Sequence, residues 1–200
     1  VQNIGDQLKG YTEKLVFSYA DIAMYKKVKH NLDVNGIHYH EWEAEQMEEF
    51  AEKLSVMNQE RGWNYQLATC GEKIDISKYG IQHNRCVDGD LITRLAWSDN
   101  KLMDFMKVRI EKVPSPNLFG DAQLPGNAIL LPGNHYFIST HQKDPGQRQF
   151  CECMASKDIG EYNTCPHLCE YCYANTSKES ALQNWNKHKE NPFGETITGK

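Results

Sequence analysis

Five of the seven cysteines fall within residues 151–172, which read Cys-Glu-Cys-Met-Ala-Ser-Lys-Asp-Ile-Gly-Glu-Tyr-Asn-Thr-Cys-Pro-His-Leu-Cys-Glu-Tyr-Cys. No other feature constrains the fold as much, because thiols this dense must bind metal, pair as disulfides or be held apart by packing. The last three, Cys165, Cys169 and Cys172, have the spacing C-x3-C-x2-C. Three thiolates on one tight loop, with no fourth ligand in the pattern, suit a [4Fe–4S] cluster held through three irons. The fourth iron is then open to an outside molecule.

The surroundings favour metal over disulfides. Residues 1–8 are polar and unlike a signal peptide, and no window approaches the roughly 18 consecutive apolar residues of a membrane span. A cytoplasmic protein is expected, and in a reducing compartment clustered cysteines ligate metal or iron–sulfur more often than they pair. Asp and Glu outnumber Lys and Arg by 27 to 22, so no broad phosphate-binding face is expected and nucleic acid is not an expected partner. At 200 residues the chain suffices for one domain with a substantial core.

Hydrophobic patterning predicts an α/β fold of parallel strands with crossover helices. The apolar run at 14–19 reads as a buried strand. Ile22, Met24, Tyr25, Val28 and Leu32 then fall at helical spacing with a lysine-rich face toward solvent, and Asn35-Gly36 closes the segment. Residues 41–61 give the clearest helix, with Met47, Phe50, Ala51, Leu54 and Met57 on one face and Gly62 at its end. A strand at 63–69 delivers Cys70 at its carboxyl end, where ligands gather in parallel α/β folds. The loop-rich segment that follows brings Cys86 back toward the same mouth, although two buried structural thiols would look similar.

Residues 88–110 read as two short helices, with Ser98-Asp99-Asn100 as the break and the new cap. Residues 113–134 hold Pro114, Pro116, Gly120, Pro125, Gly126, Pro132 and Gly133, which marks a loop and excludes a long helix. A short apolar segment follows at 136–139. Ser177 caps a final helix reaching Glu190, expected to pack over the cysteine loop. The expected organisation is an α/β scaffold at 1–112, a Pro/Gly-rich segment at 113–149, and the cysteine loop with its helix at 150–200.

Four cysteines remain outside the three-cysteine motif. Cys151 and Cys153, one residue apart, total four thiolates with Cys70 and Cys86, enough for a second [4Fe–4S] cluster or a tetrahedral zinc site. C-x-C is tighter than the C-x2-C of common zinc ribbons. Other groups are weaker. His38 and His40 precede a helix and read as solvent-facing, His167 is placed to tune a cluster or to be solvated, and Glu72 and Asp75 stand near Cys70 as acid–base groups or as caps.

With aromatic Tyr171 before Cys172, the motif reads C-x3-C-x-Φ-C, where Φ is aromatic, and resembles the signature of radical S-adenosylmethionine enzymes. The resemblance implies that the open iron is chelated by the amine and carboxylate of S-adenosyl-L-methionine, that Tyr171 lies against the adenine, and that a reductant protein supplies electrons. A wider resemblance rests on 8–15, Cys70 with Glu72 and Asp75, 79–84 with Cys86, 146–148 and 158–175. Over these the chain is similar to an uncharacterised bacterial family, a domain of unknown function with a radical-SAM-like cysteine cluster near its C-terminus. It implies a TIM-like barrel of which this chain is the later part, completed by a missing N-terminal region or a second chain. Ordinary radical SAM enzymes place the motif after the first strand, whereas here it comes near the end. The substrate is unknown. The competing expectation is a non-enzymatic module whose cysteines hold structural zinc or an inert cluster.

Overall fold

The apolar run before the long helix and the alternating segment after it form β1 (Lys14–Phe17) and β2 (Gln66–Thr69), which pair in parallel with Lys14 opposite Gln66 and Phe17 opposite Thr69. A short β3 (Gln82–His83) adds to β2, also in parallel, giving the order β1-β2-β3. Leu67, Ala68 and Thr69 are buried because β2 is the central strand. The parallel α/β expectation is met in this sheet. The computed structural model describes residues 1–115, 124–140 and 143–198, and among these no closed barrel is formed.

The chain divides into two units, residues 1–18 with 55–156 and residues 19–54 with 157–200. The first holds both sheets and begins with α1 (Gln2–Leu8), a helix the polar N-terminal sequence does not announce. Its anchor is buried Gly5, whose carbonyl accepts from the Tyr65 hydroxyl at 2.7 Å, while Asp6 accepts from the Trp63 indole at 2.7 Å. An added Cβ at Gly5 would lie 2.5 Å from the Trp63 ring. Helix propensity favours Ala over Gly by about 1 kcal/mol, but overpacking against a buried ring fixed by its indole hydrogen bond costs about 1–3 kcal/mol. Gly5→Ala is therefore expected to destabilise the first unit by about 1 kcal/mol, read as a lower urea midpoint with an unchanged slope.

The second unit contains α2 (Lys26–Val34), the start of α3 (Ala44–Glu60) and α6 (Lys178–Glu190). Tyr19, Trp42 and Phe50 meet ring to ring at 5.4–6.0 Å, and the Tyr19 hydroxyl donates to the Met47 carbonyl at 2.7 Å. The helix expected from Ile22 begins four residues later, because residues 22–24 turn and the Ala23 N–H donates to Glu41. Ser177 caps α6 through the Ser180 N–H.

Back in the first unit, the two short helices are α4 (Gly89–Ala96) and α5 (Asn100–Met106), capped by the carboxylates of Asp88 and Asp99. The Pro/Gly-rich stretch then departs from the expected loop. An antiparallel sheet of order β4-β6-β5 forms from β4 (Glu111–Lys112), β5 (Ala128–Leu131) and β6 (His135–Ile138). The hairpin closes through Gly133 and Asn134, both at positive φ, which the right-handed twist of a tight turn demands. The part of the expected loop at 116–123 lies outside the described residues. No helix among the described residues is long and apolar enough to cross a membrane.

Candidate functional site

The first unit gathers the four cysteines that sequence separates. Cys70 directly follows β2 and Cys86 lies three residues beyond β3, so the carboxyl edge of the parallel sheet carries both, and their sulfurs stand 3.1 Å apart. The 144–154 segment supplies the other two, buried at 5% and 7% exposure for Cys151 and Cys153. Backbone bonds strap that segment down: Asp144 N–H to Cys153 O at 2.9 Å, Cys151 N–H to Arg148 O at 3.0 Å and Met154 N–H to Val87 O at 3.1 Å. Cys153 hydrogen-bonds both Cys151 and Cys86, so the thiols form one contiguous group.

Polar groups around these sulfurs are aimed. The Val87 N–H donates to Cys153 Sγ at 3.4 Å, and the Asn84 amide donates to Cys86 Sγ at 3.5 Å. Lys14 donates to Asn84 Oδ1 at 3.3 Å, which turns the amide nitrogen toward the sulfur. Gly71, at φ +70°, leaves room for the Arg148 guanidinium, whose Nη2 would lie 3.0 Å from any added Cβ. Burial first, then contact with Cys86, pushes the Cys70 thiol up to about 12. Burial raises Cys151 as well, against the pull of Arg148. At Cys153 burial is again the largest influence and opposes ionisation, yet hydrogen bonds from Val87, Cys151 and Cys86 together bring it below its usual value. A cleft of about 850 Å³ opens beside Cys86, lined by Lys14, Gln66, Asn84, Arg85 and Arg94 among others.

The second unit holds the C-x3-C-x2-C loop. Cys169 and Cys172 are half-buried, Cys165 is exposed, and no cysteine of the chain is in a disulfide. A helix face holds the loop from one side: Lys27, Asn31 and Asn35 of α2 and its cap donate to Tyr173 O (2.7 Å), Cys172 O (3.3 Å) and Glu170 Oε2 (3.0 Å). This corrects the reading of that lysine-rich face as solvent-facing, at least at Lys27. Asn175 works from within, its N–H donating to Cys172 Sγ at 3.3 Å and its amide to Cys165 O at 2.9 Å. Its Oδ1 is buried with no hydrogen-bond partner, and Asn175 lines a cavity of about 190 Å³ together with Cys169, Cys172, Thr176 and Lys178. The exposed Tyr171 is hydrogen-bonded to Cys169, and that bond first, then the nearby thiols and slight burial, lifts its phenol above the usual range.

Asn163 closes the loop at its base, and sequence reading missed it. At φ +58° it accepts through Oδ1 from Thr176 N–H, Thr176 Oγ1 and Ser177 N–H at 2.5, 2.7 and 3.2 Å, while its own carbonyl accepts from Asn184 of α6 at 2.9 Å. α6 thus packs against the cysteine loop as its capped pattern predicts. Asn163→Ala removes the side-chain acceptor and leaves a residue that tolerates positive φ poorly, a loss of about 2 kcal/mol. Amide exchange at Thr176 and Ser177 is expected to quicken by roughly 30-fold.

Asp75 accepts from Ser77 N–H at 3.0 Å, two residues ahead of a 3-10 turn at Ser77–Tyr79, and that hydrogen bond holds its carboxyl below the usual range. Glu72 is buried. His38, His40 and His167 are exposed. Among the described residues, no three His, Cys, Asp or Glu side chains surround one point as the ligands of a single metal ion would.

No curated protein and no solved structure matches the chain. A family model does, across residues 1–174, a span that includes all seven cysteines. The gathered thiols and the clamped loop therefore sit inside the matched region, and the chain belongs to the family described as Domain of unknown function (DUF1848).

Proposed function

We propose that this chain is an iron–sulfur protein of the radical S-adenosylmethionine kind, holding a [4Fe–4S] cluster through Cys165, Cys169 and Cys172. The observation that carries the reading is a cavity on the clamped loop lined by two of its three free thiols, Cys169 and Cys172, together with Asn175, whose buried Oδ1 has no hydrogen-bond partner. A cubane's thiolates each bind a different iron, so they face a core and need not converge on one point. Asn175 offers a desolvated acceptor to an amine or hydroxyl of a ligand in the cavity, and Lys178 offers a cation to a carboxylate. Lys178 is shared with Glu170, which tempers its charge. When bound, such a cluster supplies one electron to the sulfonium of S-adenosyl-L-methionine, which parts into methionine and a 5′-deoxyadenosyl fragment. The chain's own residues hold the loop, orient the ligand and restrict water; the electron comes from a reductant protein.

The barrel resemblance belongs to the same reading. In parallel α/β folds ligands collect at the carboxyl ends of strands, and the β1-β2-β3 sheet is offered as part of such a barrel. The test is anaerobic reconstitution followed by reduction in the presence of S-adenosyl-L-methionine. Formation of 5′-deoxyadenosine is expected. A restored cluster that never consumes the cofactor sinks the reading, and zinc without acid-labile sulfide marks a non-enzymatic module instead.

A further inference from the structure

Nothing in the reading of the closing loop uses the four thiols of the first unit. We propose that Cys70, Cys86, Cys151 and Cys153 hold a second [4Fe–4S] cluster, closed by four protein thiolates. The inference stands apart from the three-cysteine reading and goes beyond it.

Three observations carry it. Side chains from three separate segments reach one group, with Cys70 and Cys86 in contact at 3.1 Å and Cys153 bridging Cys86 to Cys151. Local sequence does not bring thiols together in this way, and buried thiols serving as mere filler would not need aimed donors. Those donors are the second observation: the Val87 N–H on Cys153 and the Asn84 amide on Cys86, the latter oriented by Lys14. N–H···S bonds of this kind stabilise thiolate ligands and tune a cluster's potential. The third is the arrangement itself. C-x-C is tighter than the usual zinc spacing, and since no three of the thiols converge on one point as they stand, zinc and cubane alike ask the sulfurs to move. A cubane takes one thiolate on each iron, so its ligands stand around a core of several atoms; filling requires the Cys70 and Cys86 sulfurs to part, which the exposed Cys86 at the rim of the large cleft allows.

Four protein ligands leave no iron open. The centre can pass an electron or brace the fold, and it cannot bind substrate through iron. Its position beside the open cleft gives an electron donor access to it.

The full chain carrying Cys165→Ala, Cys169→Ala and Cys172→Ala isolates this centre. After anaerobic reconstitution it is expected to retain about four iron and four sulfide per chain, against about eight of each in the unaltered protein. Should the closing-loop reading alone fail, both proteins carry about four. Zinc without sulfide in the triple variant, or no metal at all, overturns the proposal. If the triple variant does not fold, Cys86→Ser in the unaltered chain serves, with iron expected to fall by about four. Asn84→Ala, which keeps all four thiolates, is expected to shift the potential of this centre to a more negative value, and an unmoved potential in a protein with full iron would overturn the assigned contact.

Discussion

Cys169→Ala is expected to abolish 5′-deoxyadenosine formation while leaving the chain folded and about four iron atoms still bound at the first-unit cysteines. The separation of chemistry from structure follows from where the loop draws its support. Lys27, Asn31 and Asn35 hold carbonyls and Glu170, Asn163 holds Thr176 and Ser177, and Cys169 itself contributes a backbone carbonyl to Cys172 N–H at 3.1 Å, which alanine retains. What alanine removes is the sulfur beside Asn175 in the cavity and the partner of the Tyr171 hydroxyl. Two thiolates are too few to keep a cubane, so the iron count should drop by about four and the cofactor should persist unconsumed. Urea unfolding of the metal-free protein should change by less than about 1 kcal/mol, since a half-buried sulfur contributes little packing. Product formation by the alanine variant would mean that the loop is not where the electron is delivered.

The largest structural loss is expected from Phe137→Ala. Phe137 is 1% exposed in β6, the central strand of the antiparallel sheet, directly opposite Ile129 of β5. Truncating a fully buried phenylalanine costs about 3–5 kcal/mol through lost transfer energy and the cavity left behind. Against a total stability of about 5–15 kcal/mol, that is enough to leave a sizeable unfolded fraction at moderate temperature. The urea midpoint should fall steeply with little change of slope. Because β6 belongs to the first unit, iron at the four-cysteine group should be lost alongside, whereas neighbouring Ile138, 39% exposed, should tolerate alanine with a much smaller shift.

Local signals made much of this fold readable in advance. β1 shows as an apolar run, β2 as an alternating segment, α3 as a one-faced stripe, the break between α4 and α5 as a capping aspartate, and α6 as a serine cap followed by Ala181 and Trp185. α1 escaped notice because it is polar and is fixed by Trp63 and Tyr65, nearly sixty residues away. The β5–β6 hairpin was legible in principle, since Gly133-Asn134 between apolar runs is turn chemistry, but the surrounding prolines and glycines masked it as loop.

At the candidate sites, residue type was legible and support was not. Cys86 does return to Cys70, as the loop-rich segment between them suggests. Lys27, Asn31 and Asn35 gave no sign of their role, because each donates to an acceptor 135 to 146 residues distant, and such partners leave no periodic trace. Asn163 looked like one more polar residue in a loop. A polar side chain in the left-handed region flanked by cysteines was the available signal.

The segments bearing the first-unit thiols are far apart along the chain, 16 residues between Cys70 and Cys86 and 66 between Val87 and Cys153. An inorganic core gripping all of them would act as a staple, cutting the freedom of the unfolded chain by closing a short loop and a long one together. Melting temperature should then track occupancy of that core, and chelators should soften the sheet before any reaction chemistry is measured.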